Sequence, residues 1–121
     1  MLKVYKSPSC ACCGAWVNHM HRAGFRVVAT DITDLHPIKN KLGVFPELRS
    51  CHSAVIDGYV IEGHVPSREV MRLLKERPKA IGLAVPGMPI GSPGMEQGSR
   101  RDPFQVILFS STRHSVFAAY P

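Results

Sequence analysis

No stretch of this 121-residue sequence approaches the ~20 consecutive apolar residues that span a bilayer, so membrane insertion is not expected. The first residues, MLKVYKSPSC, also lack the apolar core of a secretory leader, which predicts either a cytoplasmic chain or one whose leader has been removed. Acidic residues are scarce, nine against fifteen Lys and Arg, for a net charge of +6. The basic excess is dispersed, and its densest group, Arg68, Arg72, Lys75, Arg77 and Lys79, falls on one helical segment, the pattern of a solvated helix face. No recognition motif and no interleaved aromatics accompany it, so nucleic acid is not an expected partner. Internal repeats are absent. Hydrophobic residues at 45% and charged residues at 20% belong to an ordinary globular chain. A chain of this length buries enough apolar surface to fold as one domain, residues 1–121, without disulfide staples. Its four cysteines are therefore free for chemistry.

Local patterns predict an α/β order. LKVYK, residues 2–6, reads as a strand broken by Ser7-Pro8-Ser9. From Gly14 to Ala23, Trp16, Val17 and Met20 recur at helical spacing and Gly24 stops the run, so the cysteines just before it open a helix. Residues 25–32 read as a second strand, followed by a short helix from Thr33-Asp34 to about Leu42 with Pro37 in its first turn. Strands are expected over 51–56 and 59–62, joined by the hairpin signal Asp57-Gly58. A third helix is expected with Ser67 as N-cap, Val70, Met71, Leu73 and Leu74 turned inward, and Pro78 past its end. Residues 82–98, dense in glycine, proline and methionine, exclude a long regular element. FQVILF, residues 104–109, reads as a strand added at the sheet edge, with 115–119 available to pair with it. This order resembles the thioredoxin fold, a central mixed sheet with flanking helices, in which the first helix starts at the active-site cysteines. Where that fold usually carries a cis-proline, this chain has Ser50-Cys51-His52.

Cys10, Cys12 and Cys13 form a CxCC at a strand-to-helix turn, where unpaired backbone N–H groups and the helix dipole favour thiolates. Cys10 and Cys13 satisfy the CxxC spacing of dithiol exchange, and Cys12 is surplus to it. Three crowded thiolates repel unless a positive charge compensates them, which favours a soft cation over exchange. With the thioredoxin-like topology, Cys51 and His52 face the helix start across 37 intervening residues, giving four sulfurs and one imidazole. Soft thiolates with imidazole suit Cu(I) or zinc. Zinc prefers a closed set of four from spaced knuckles, and adjacent sulfurs suit bridged copper better. In metal-free oxidised protein, Cys51 is also within the expected reach of a disulfide to one of the helix-start cysteines, which needs Cα atoms within about 7 Å.

The segments VYKSPSCACCGAWVNHM, SCHSAVIDGYVIEGHVP, RLLKERPKAIGLAVPGMPIGSPGME and PFQVILF resemble the CopG-type copper-resistance family of small periplasmic proteins, over nearly the whole chain. The resemblance implies a thioredoxin-like fold that holds copper, as Cu(I) or Cu(II), through Cys10, Cys12, Cys13, Cys51 and His52. It further implies a cysteine-bridged multicopper cluster with redox capability and a periplasmic location among other copper-handling proteins. Ala11 stands where the family usually has glycine.

Four further side chains are candidate donors or supports. His19 lies six residues beyond Cys13 on the same helix, nearly two turns away, which suits a capping or supporting role better than a shared ion; His21 faces elsewhere. Met88 and Met95, in the PGMPIGSPGME loop, offer soft thioethers to Cu(I), and His64 precedes Val65-Pro66. Trp16 is expected in the core or shielding the site, and His36 and His114 on the surface without partners. Copper binding for resistance is thus the leading expectation, against thiol-disulfide exchange through Cys10 and Cys13 or a structural zinc domain.

Overall fold

The structure, a computed structural model, describes residues 1–121. Its elements are β1 (Leu2–Lys6), α1 (Ala11–Arg22), β2 (Val27–Asp31), α2 (His36–Leu42), β3 (Ser53–Ile56), β4 (Tyr59–Glu62), α3 (Ser67–Glu76), β5 (Gly82–Ala84), β6 (Phe104–Phe109) and β7 (His114–Tyr120). They build one seven-stranded mixed sheet in the order β2-β1-β3-β4-β5-β6-β7. The first four strands carry the thioredoxin-like core. β1 pairs parallel to β2 through α1, β3 lies antiparallel to β1, and β3 and β4 form the hairpin closed by Asp57 and Gly58, both at positive φ.

β4 is central, and all four of its residues are buried, because helices cover both sheet faces. Ile61 joins Leu2, Val4, Trp16, Met20, Val70 and Leu73 in the larger core, between the sheet and α1 and α3. Val60 points the opposite way, to Val44, Leu48, Ala84 and Phe109. Alternation thus sends Glu62 toward the same side as Val60, the side that carries α2.

Several expectations need correction or completion. The glycine-dense segment does contain a strand: Gly82-Leu83-Ala84 pairs parallel with β4 after the α3 crossover. Three residues are too few for a periodic signal, and the glycine is required because a Cβ at Gly82 would lie 1.7 Å from the Val60 carbonyl oxygen. FQVILF is not the edge strand; β6 is flanked by β5 and β7, and β7 forms the edge. In α3 the buried stripe runs through Glu69, Val70 and Leu73, leaving Met71 45% exposed. Ser67 is the first helical residue rather than the N-cap, which is Pro66 without a capping side chain. The Ser67 N–H donates instead to His19 Nε2, 3.1 Å away. His36 and His114 are exposed but partnered, the first with the Asp34 carboxylate and the second edge-on against Phe45.

Candidate metal centre

Thiol, imidazole and thioether donors from four segments converge above the first turn of α1. Cys10 caps that helix in extended conformation, its N–H bonded to the Ser7 carbonyl, so the three cysteines occupy one turn. The start of β3 brings Cys51 and His52, the loop after β4 brings His64, and the Gly/Pro/Met loop brings Met88. One ligand atom each from Cys10, Cys12, Cys13 and Cys51 lies within 4.8 Å of the others. The same holds for Cys51, His52 and His64. Cys51 belongs to both groups. Its sulfur lies 3.3 Å from His52 Nδ1 and 3.1 Å from His64 Nε2. Cys12 Sγ lies 3.4 Å from Cys10 Sγ and 3.9 Å from the exposed Met88 thioether.

Cys10 and Cys13 are joined in a disulfide, with Cα atoms 5.3 Å apart, while Cys12 and Cys51 are free thiols. The disulfide therefore forms within the CxxC rather than from Cys51. The reason is local: one helical turn brings Cys10 and Cys13 into bonding range, whereas the Cys51 sulfur faces the two imidazoles.

Burial favours the neutral forms of Cys51, His52 and His64. Burial, reinforced by Cys12, pushes the Cys51 thiol up to about 12. Burial, then His64, then Lys39, hold His52 well below the usual imidazole value. Burial lowers His64 as well, although its Nδ1 contacts the Pro93 carbonyl at 2.7 Å. Cys51, which lies before β3 and away from the helix start, is thus a thiol, and a metal would have to displace its proton. Both imidazoles, by contrast, have a lone pair to offer.

One atom tests whether a soft metal fits here. His52 is wholly buried, its ring 4.5 Å from the Trp16 ring, and its Nε2 has no hydrogen-bond partner. An orphaned buried polar atom costs about 1–3 kcal/mol unless something satisfies it, and a bound metal ion is one partner that would do so. Four sulfurs and two imidazoles with no carboxylate among them form a donor set for soft ions.

The other candidates sort by position. His64 sits inside the site with its ring 5.0 Å from that of His52, and Met88 stands at the mouth. His19 is used in capping α3, and burial lowers its pKa, consistent with an accepting neutral ring. Met95 serves the loop through its backbone, bonded to Gly91 and Ser92. Trp16 is core and shield at once.

Sequence reading missed how the loop docks. Gly94 has φ +91°, and a Cβ there would fall 2.9 Å from both the Cys12 carbonyl oxygen and the Trp16 nitrogen, and 3.0 Å from His64 Nδ1. Glycine is needed both for the dihedral and for the approach. Gly94→Ala is expected to lift the loop, destabilising the metal-free reduced protein by about 1–3 kcal/mol and speeding metal release. A urea midpoint indistinguishable from that of the parent would refute this role.

A family described as a protein of unknown function, DUF411, matches residues 48–95. Among curated proteins no sequence matches. A solved structure described as copper resistance protein CopG, form 2, shares 44% identity, with 99% of this chain and 97% of that chain covered and a TM-score of 0.95. Form 1 shares 43%, covers 99% and 96%, and gives 0.94. At that identity over that length, with the CxCC and Cys-His donors drawn together in one thioredoxin-like fold, the chain belongs to the CopG copper-resistance family.

Proposed function

We propose that this protein holds Cu(I) for copper resistance, with Cys10, Cys12, Cys13, Cys51 and His52 as ligands and His64 and Met88 closing the site. The carrying observation is that two donor groups share one sulfur, Cys51. Together they exceed the four ligands of a closed zinc site. A thiolate between two groups of donors suits bridging of two or more soft ions, and a bridged copper-thiolate centre can cycle electrons without moving its ligands far. Periplasmic residence among other copper-handling proteins is part of the same reading, supported by the likeness to proteins described as copper resistance protein CopG.

The reduced protein is expected to retain more than one Cu(I) per chain against a moderate chelator. Trp16, the only tryptophan, packs its ring at a tilt against His52 and should report loading by fluorescence quenching. Equilibrium dialysis with no retained copper would sink the reading.

A second reading has its own support, the Cys10–Cys13 disulfide, which is the oxidised form of a dithiol exchange centre. Cys12 separates the two. Cys12→Ser is expected to lower copper capacity and leave any insulin-type disulfide reduction nearly unchanged. Copper capacity equal to that of the parent, with turnover abolished by Cys10→Ala, would favour exchange.

A further inference from the structure

An ion pair is buried next to the copper donors without being one of them. Lys39 Nζ, from α2, lies 2.5 Å from Glu62 Oε2, with side-chain exposures of 7% and 0%. The same Glu62 carboxylate accepts the Ser50 N–H at 2.9 Å and, through Oε1, the Ser53 hydroxyl at 2.5 Å. Lys39 also donates to the Ser53 hydroxyl at 2.9 Å. Ser50 and Ser53 are the residues on either side of Cys51-His52. At the next position, the Gly63 N–H donates to the His52 carbonyl at 3.0 Å. Gly63 adopts φ +78°, and a Cβ there would meet Ser50 Cβ at 2.6 Å. The end of β4 therefore grips Ser50-Cys51-His52-Ser53 at both its ends and at its middle carbonyl.

Stability alone does not call for such a pair. Replacing a buried ion pair by apolar residues of similar volume is often neutral or stabilising, because desolvation offsets the Coulombic gain. What the pair supplies here is direction. Lys39 holds the carboxylate at the sheet, and the carboxylate in turn fixes the backbone that carries Cys51 and His52. The segment needs such a support, since only Ser53 of the four belongs to β3, and Cys51-His52 before it are tied to the sheet by the single bond from the Gly63 N–H to the His52 carbonyl.

The geometry points to Glu62 as a positioning residue for the copper site, with Lys39 as the residue that orients it. This rests on the reading of Cys51 and His52 as ligands and adds a residue that touches no metal. Supports of this kind elsewhere change metal affinity by roughly 10–100-fold when removed.

The test compares two double variants of the full reduced chain. Lys39→Met with Glu62→Gln removes both charges and keeps a carbonyl oxygen for the Ser50 N–H. Lys39→Met with Glu62→Leu removes both charges and the acceptor. The Gln variant is expected to bind Cu(I) within a few-fold of the parent, and the Leu variant to lose about 10–100-fold. In the metal-free state, hydrogen exchange at the Ser50 amide should be near-parental in the first and at least about tenfold faster in the second, on the same scale. Equal copper affinity and equal Ser50 exchange in both double variants would overturn the proposal. Ser53→Ala cuts two bonds, the one it donates to Glu62 and the one it accepts from Lys39, and leaves both charges, so it tests the same point if the Leu variant does not fold. A several-fold loss of affinity is expected, and an unchanged affinity again overturns it. Failure of the copper reading itself looks different: the parent would not retain copper, while the Ser50 exchange contrast would still report the clamp.

Discussion

Cys51→Ser is expected to lower Cu(I) affinity by more than about 100-fold, beyond the range seen when only a supporting residue is lost, while the chain keeps its fold. Cys51 is half-buried and lies in neither apolar cluster, so the loss falls on the site. Its sulfur is the atom common to both donor groups, and removing it parts the CxCC sulfurs from the two imidazoles. His52→Ala should weaken binding less, because His64 Nε2 remains beside Cys51. The pH dependence gives an independent check. In the metal-free protein burial pushes the Cys51 thiol up to about 12 from 9.0, so throughout the neutral range copper must displace this proton. Affinity should therefore rise with pH, by about tenfold per unit from this group alone, and Cys51→Ser should flatten the slope by that amount. The same shift acts on folding with the opposite sign. The fold favours the protonated thiol, so its contribution is fully present below pH 9.0 and is lost as pH climbs from there toward about 12. A Cys51→Ser protein that binds copper as tightly as its parent, with the same pH slope, would remove Cys51 from the site.

Much of this arrangement is legible in the sequence, for reasons that can be stated residue by residue. The β1 turn into CxCC is readable because Ser7-Pro8-Ser9 breaks a strand just where Trp16 and Met20 begin a helical period. Asp57-Gly58 fixes the β3-β4 hairpin, and the hairpin places Cys51 and His52 at the head of β3. What cannot be read is contact made by side chains that look ordinary in sequence. Lys39 sits in a short helix with another lysine nearby, and nothing local marks it as the one that buries its ammonium against Glu62. Gly94 belongs to a run of glycines, and only the Cys12 carbonyl and His64 ring beside it single it out. His19 reads from its spacing as a capping or supporting residue, and only the packing of α1 on α3 shows that α3 is the helix it caps. Three-residue β5 escapes because a strand that short is defined by its neighbours rather than by its own period.

Oxidation is expected to have an effect nearly as large as removing Cys51. With Cys10 and Cys13 joined, two of the four sulfurs in the group are no longer thiols. Restoring them takes two electrons and two protons from an external dithiol, which leaves as its own disulfide, and each new thiol must then give up a proton to a metal. Protein loaded anaerobically with Cu(I) after full oxidation should thus hold at most half the copper of reduced protein. The residual copper would sit on Cys12, Cys51, His52, His64 and Met88, which the disulfide leaves untouched. Treatment with a dithiol reductant should recover full capacity. The variant carrying Cys10→Ser and Cys13→Ser should show the low capacity in both redox states and no response to reductant. The comparison also separates the two readings of the CxxC pair. If oxidised and reduced protein take up equal copper, Cys10 and Cys13 are not ligands, and their chemistry is exchange beside a copper site built from Cys12, Cys51 and the histidines. If capacity follows the disulfide, the pair that could carry exchange is the pair that holds metal, and the redox state of the dithiol decides how much copper the protein carries.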